Sequence, residues 1–292
     1  MGADYLSERM AESRANAVRG ATTPRWADVV LRHPVVFAVI FLVVVFALQQ
    51  FIGRALGSDS GGSVYAAQAR ELIGEAISAA IVVVILLALG WWRAVGFTGF
   101  RSWQAVWLAW FPALLVVVLF VLQLLQSPLT DDVGWLGLSV LNVFGVGFFE
   151  EALTRGLVLY LLLFAWKARP NGAVAAVFVS AILFGLAHLL NLFAGQPLFA
   201  TLVQIGYAIG FGVGFAALLL RTNTIWIGIV LHSLVDANSE AWFGPSTEAT
   251  QTTNDLVGLT PLFIVGLPLL IYGIILMRKR HGAPRPMGSP DL

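Results

Sequence analysis

Long apolar runs separated by short polar clusters make up nearly the whole chain. Charge-poor stretches recur at about 34 to 53, 76 to 92, 104 to 126, 135 to 166, 172 to 194, 198 to 220, 223 to 243 and 257 to 277. A helix rising 1.5 Å per residue needs roughly 20 residues to cross about 30 Å of hydrocarbon, and these runs are close to that length or beyond it. The pattern predicts an all-α, polytopic membrane protein of about eight transmembrane helices. The first run, Val35 to Phe51, follows a leader carrying Arg9, Arg14, Arg19, Arg25 and Arg32. That leader is too long for a typical cleaved signal peptide, so an uncleaved first span is expected.

The polar clusters can be tested against the excess of Lys and Arg in cytoplasmic loops. The leader, Arg93 with Arg101, Lys167 with Arg169, Arg221, and Arg278-Lys279-Arg280 fall on one side of an eight-span arrangement. The other side holds Asp131-Asp132, the uncharged turn Gly195-Gln196-Pro197, and Glu240, Glu248 and Asp255, with one mixed loop containing Arg54, Asp59, Arg70, Glu71 and Glu75. Both termini are therefore expected in the cytoplasm, with the protein in the plasma membrane. Three regions follow. Residues 1–33 are a cytoplasmic leader whose stretch from Trp26 to Arg32 suits an interfacial helix, 34–278 form the membrane domain, and 279–292 are a cytoplasmic tail. The polar or Gly/Pro-rich ends, 1–25 and 281–292, predict mobility. The fourth run, about thirty residues long, has room to be tilted or broken near Gly145 and Gly147. Gly206, Gly210, Gly212 and Gly214 predict close helix packing, within the chain or at a dimer face.

Composition agrees with the pattern: 59% of residues are hydrophobic and 11% charged, against about a quarter charged in soluble domains. The main partner is thus the lipid bilayer. A net charge of +1 without a basic face excludes nucleic acid. The chain has no cysteine, which removes disulfides, thiolate metal sites, a cysteine nucleophile and any prenyl or palmitoyl anchor.

Against this background a few ionisable groups inside the spans stand out: Glu150, Glu151, Arg155, His188, His232 and Asp236. A central Asp or Arg costs roughly 2.5 to 3.5 kcal/mol on insertion scales, so such groups are expected to face one another across a polar cavity. Glu151 and Arg155 are four residues apart, acid first, which favours an ion pair. Glu150 is rotated by about 100° from Glu151, so one carboxylate is expected to act as a strut and the other to be free. Phe184, His188 and Asn191 share one helix face, and Gly228, His232 and Asp236 another. Taken singly, each group has a purely structural account: a buried ion-pair network, an interhelical hydrogen bond, a bond within one helix turn. Complementary acid-base groups on three separate helices point instead to a site.

Carboxylates with two imidazoles suit the activation of water, by general-base catalysis or through a metal. The sequence lacks Gly-x-Ser-Gly, His-Glu-x-x-His and Gly-x-Gly-Asp, which argues against rhomboid-like, zinc site-2-like and presenilin-like proteases. The three elements Phe149-Glu150-Glu151-Ala152-Leu153-Thr154-Arg155, Phe184-Gly185-Leu186-Ala187-His188 and His232-Ser233-Leu234-Val235-Asp236 resemble the ordered motifs of the CPBP family. This is the CAAX-protease and bacteriocin-processing group, also called Abi proteins, which includes the Ras-converting prenyl endopeptidase. The resemblance covers mainly residues 135–245.

The resemblance implies an eight-span intramembrane endopeptidase acting on a membrane-associated protein or peptide. It implies Glu150 as general base on a water held with His188, and His232 with Asp236 as stabilisers of the oxyanion. Glu151 and Arg155 match structural positions, and Asn191 is expected to support the site. The prenyl-protease branch has Asn where Asp236 stands, and an ionised carboxylate cannot donate to an oxyanion. Asp236 is expected to orient His232, to be protonated or to bind a metal. Glu150, Glu151 and Asp236 against Arg155 leave two excess negative charges, which a proton, a protonated His or a divalent cation such as zinc would offset. The candidate metal ligands are Glu150, His188, His232 and Asp236, and a site without metal fits the same residues. Two other function classes use these groups differently: an ion- or proton-coupled transporter with a relay, and a catalytically silent scaffold or immunity protein.

Overall fold

In hydrocarbon a backbone must satisfy its N–H and C=O groups within its own segment, so apolar runs become helices. The computed structural model describes residues 25–57, 63–99, 102–125, 130–237 and 259–278. Most of the leader, Asp59, Arg101, the segment with Glu240, Glu248 and Asp255, and the tail from Lys279 with its predicted mobility lie outside the described residues. Among the described residues all regular structure is helical. The α-helices are α1 Arg25–Arg32, α2 Pro34–Gly57, α3 Val64–Ala88, α4 Trp103–Val106, α5 Trp110–Leu124, α6 Val133–Glu151, α7 Tyr160–Trp166, α8 Gly172–Ala187, α9 Leu198–Thr222, α10 Trp226–Asp236 and α11 Leu267–Arg278. A π-helix, Ala152–Leu159, joins α6 to α7; a 3-10 helix, His188–Ala194, extends α8; a second π-helix, Leu262–Gly266, precedes α11.

Six segments are long and apolar enough to cross a membrane: Pro34–Leu56, Val64–Ala88, Trp107–Leu124, Val133–Trp166, Gly172–Phe193 and Leu198–Thr222. The expectation of about eight is met in this sense for six. The other two runs form shorter apolar helices, α10 and Leu262–Arg278. At 11 residues, α10 is about 16 Å long, and most of the predicted run after it falls outside the described residues.

The second span begins twelve residues before its expected start at 76, because Ser63 caps it: its Oγ accepts from Ala66 N at 3.3 Å. The residues expected in a mixed loop therefore lie on a helix face, with partners in its neighbours. Gln68 Nε2 donates to Ser139 Oγ at 2.9 Å, Asn142 Nδ2 to Glu71 Oε2 at 3.1 Å, and Gln49 Nε2 to Glu75 Oε1 at 2.5 Å. Asp132 caps α6, its Oδ1 accepting from Trp135 N at 3.0 Å and its Oδ2 from the Tyr65 hydroxyl. The hydrogen bond from Tyr65, then that from the Trp135 amide, holds the Asp132 carboxyl below its ordinary value.

The fourth span runs unbroken for 34 residues. It does not break at Gly145 or Gly147, and its irregular part is the π-helix. Gly147 is instead where α10 comes close: a Cβ there would lie 2.4 Å from Ser233 Oγ and 3.2 Å from Ile229 O. The core of the bundle is α9, 67% buried across its most apolar stretch against 17 to 33% for the other five long spans. It packs on α8, α10 and α11. A Cβ at Gly210 would sit 2.0 Å from Gly266 O and one at Gly212 2.5 Å from Ala181 Cβ, so these glycines serve packing within the chain.

Two segments expected as simple cytoplasmic connections are built into the fold. Val95 and Phe97 are buried, Ile225 N donates to Gly96 O at 3.2 Å, and Trp226 Nε1 donates to Phe97 O at 3.0 Å. This turn fixes the start of α10. Arg221, in α9, is buried and donates through Nε to Leu276 O at 2.9 Å, satisfying one of the last carbonyls of α11.

Gly210→Ala is expected to destabilise the detergent-solubilised protein by about 1 to 3 kcal/mol, since the obstructing atom is backbone; an unchanged melting temperature would refute the close contact of α9 with the π-helix Leu262–Gly266. Because the folded value of Asp132 is depressed, its contribution is complete above the unfolded carboxyl range, near pH ~4, and is lost as pH falls through the folded value. Asp132→Asn should flatten that acid limb of the melting curve.

Candidate active site

Glu150 and Glu151 end α6 where the helix widens into the π-segment, a deviation that recurs at functional sites. Glu151 is fully buried. Its Oε1 accepts from Arg155 Nη1 at 2.9 Å and lies 2.9 Å from His232 Nδ1. Its Oε2 faces α10 at Gly228, where a Cβ would lie 2.8 Å from that oxygen. Only glycine leaves room for the carboxylate.

Arg155 is also buried, and its Nη1 donates to Thr154 Oγ1 at 2.5 Å. The guanidinium lies over the rings of Phe184 at 4.6 Å and Phe215 at 5.7 Å, so its faces meet π-electron density rather than aliphatic carbon. Thr154 Oγ1 in turn donates to Glu150 O at 2.6 Å.

His232 has a carboxylate at each ring nitrogen. Beyond the Glu151 contact at Nδ1, its Nε2 is 3.5 Å from Glu150 Oε2 and 3.7 Å from Asp236 Oδ2. The rings of Phe184, Phe211 and Phe215 surround it, centroids 5.9, 6.5 and 6.2 Å away. Asp236 is at the last position of α10, its side chain 30% exposed.

His188 opens the 3-10 helix, and its Nδ1 is 3.0 Å from Phe184 O. A carbonyl oxygen only accepts, so Nδ1 is the donor, and in the neutral ring Nε2 carries the lone pair. His188 and Glu150 line one cavity of about 120 Å³ with Gln49, Gln50, Asn191 and Gln204. Asn191 shares that lining, and its amide is engaged there by a neighbour. Its Nδ2 donates to Gln204 Oε1 at 2.9 Å, which also accepts from Gln196 Nε2 at 2.8 Å. The structure thus gathers Glu150 with His188 at the cavity, and His232 with Glu151, Glu150 and Asp236 behind it.

Gln49 and Gln204 on this lining, and Glu75 bonded to Gln49, were not expected near these groups. Gln68, Glu71, Glu75 and Ser78 recur at helical spacing, a polar stripe that was the available signal.

Among the described residues no group of three His, Asp or Glu side chains is spaced so as to hold a metal ion. Both imidazoles use Nδ1 for contacts within the protein, His232 to Glu151 and His188 to Phe184 O, which leaves Nε2 of each ring toward the site.

A family model described as Type II CAAX prenyl endopeptidase Rce1-like matches residues 132–238. It spans α6 to α10, contains every residue of the cluster, and supports the CPBP/CAAX-protease resemblance carried by the three motifs. No match was found among curated proteins or solved structures.

Removing one member of a buried charge pair leaves the other uncompensated, at about 3 to 5 kcal/mol. Glu151→Ala is therefore expected to lower thermal stability far more than Glu150→Ala. Equal losses in a detergent melt would contradict the distinction between strut and cavity carboxylate.

Proposed function

We propose that this chain, which matches the CAAX-protease family over the segment holding the site, is an intramembrane endopeptidase. It hydrolyses a peptide bond of a membrane-associated protein or peptide with water activated by Glu150 and His188. The observation that carries the reading is the shared cavity, where a carboxylate and an imidazole lone pair face the same small space. A water there meets two acceptors, and among the described residues no Lys or Arg lines the space. Glu150 removes a proton from it as its oxygen adds to the scissile carbonyl, and returns that proton to the departing amine.

His232 is the donor for the oxyanion. Nδ1–H is directed to Glu151, so Nε2, near Glu150 and Asp236, is the nitrogen available to the site. Asp236 orients and charges this ring, which gives a carboxylate a role where the prenyl-protease branch has an amide. Glu151 and Arg155 hold His232 in place. The chain works as a multi-pass plasma-membrane protein with both termini in the cytoplasm, as the loop charges suggest.

The test is cleavage of a library of membrane-anchored peptides by purified protein in liposomes. Glu150→Ala and His188→Ala are each expected to lower kcat by about 10² to 10⁴-fold, and the wild-type activity to survive chelation of divalent metals. Cleavage persisting in either variant would sink the mechanism, and proton flux without cleavage would favour a transporter.

A further inference from the structure

The mechanism leaves unused a polar wall between α2 and α3. Gln49, Gln50 and Arg54 on α2 and Glu71 and Glu75 on α3 line a second cavity, of about 620 Å³. Gln49 and Gln50 also line the cavity that holds Glu150 and His188, so the two spaces share a wall. The larger one is within the size range of ligand-binding clefts.

Glu75 is the anomaly in this wall. It is 7% exposed; its Oε1 accepts from Gln49 Nε2 at 2.5 Å, while its Oε2 is buried without a hydrogen-bond partner. Among the described residues neither Glu71 nor Glu75 has a Lys or Arg within ion-pair distance. Glu71 is tied by one oxygen to Asn142. Two carboxyl groups and one guanidinium on the lining give it a formal charge of −1, and the deeper acid, Glu75, keeps one buried oxygen without a hydrogen-bond partner at this wall. An ionised acid in a spanning helix is costly unless a cation compensates it, and without one it takes up a proton.

We propose that this cavity is a substrate subsite for a cationic side chain, Lys or Arg, near the scissile bond, with Glu75 as its counter-ion and Glu71 along its path. This rests on the endopeptidase reading. A Lys or Arg stem is apolar along its length and charged at its tip, which suits a cavity whose buried acid lies behind a partly apolar wall. The amides of Gln49 and Gln50, at the shared wall, supply donors and acceptors to the peptide main chain passing toward Glu150.

The experiment uses the full chain in liposomes and membrane-anchored peptides carrying Lys, Gln or Glu at each position flanking the cleaved bond. Wild type is expected to prefer Lys over Gln by about tenfold or more in kcat/KM, chiefly through KM, at one of these positions. Glu75→Gln, which keeps an acceptor for Gln49, should bring that ratio close to one; a ratio unchanged from wild type would overturn the subsite. Binding of the same fluorescent peptides to Glu150→Ala, which cannot cleave on the proposed mechanism, separates the two readings. Tighter binding of the Lys peptide, lost on adding Glu75→Gln, supports the subsite even if wild type cleaves nothing, an outcome that would instead defeat the protease reading. Equal binding of Lys and Gln peptides to Glu150→Ala overturns the subsite, and needs no folded Glu75 variant.

Discussion

One buried carboxylate oxygen ties the site together. Glu151 Oε1 meets Arg155 and His232, each at 2.9 Å, with almost no water to screen either contact. Arg155 belongs to the π-segment and His232 to α10, so this atom joins two spans that are far apart in sequence. The aromatic rings around Arg155 and His232 come from α8 and α9. Five elements, α6, the π-segment, α8, α9 and α10, thus converge on a charge arrangement that would be unstable if any member were missing. A neutral core of the same volume would pack as well, but it would not fix which nitrogen of His232 faces Glu150.

The surrounding backbone is shaped to permit that contact. The π-segment carries all eight of its residues buried, placing Arg155 beside Glu151 at the point where the helix changes pitch. Gly147 and Gly228 remove side chains from the two facing helices, one opposite Ser233 and the other opposite Glu151. The turn through Gly96 and Phe97 then sets where α10 begins. With α10 only 11 residues long, a start displaced by one residue would rotate His232 by about 100° away from the carboxylates.

Much of this was legible in the chain because it is local. Apolar runs mark helices, and Glu151 with Arg155 or His232 with Asp236 are neighbours at four-residue spacing, so their proximity needs no knowledge of tertiary packing. The convergence of three motifs on one region also followed from the cost of isolated charge in a membrane. What was not legible is non-local. Glu71 and Glu75 read as loop residues because a hydropathy window averages over all faces of a helix, whereas α3 is polar on one face only, toward Gln49 and Asn142. Asn191 shares its side of the chain with His188, yet Gln204 on α9 claims its amide. Arg221 read as a loop cation, since nothing nearby in sequence announces Leu276 as its acceptor.

The paired glycines of the α6–α10 seam also bear on how such a site can diversify. A methyl group at Gly228 would strike the oxygen of Glu151, and one at Gly147 would strike Ser233, so neither position can drift without disturbing the chemistry. The opposite wall, built from Gln49, Gln50, Glu71 and Glu75, borders open space and is joined by side-chain hydrogen bonds that other polar residues could replace. On the proposed endopeptidase reading, substitutions along α2 and α3 would alter the choice of target, while those in the α6–α10 seam would disturb the reaction itself.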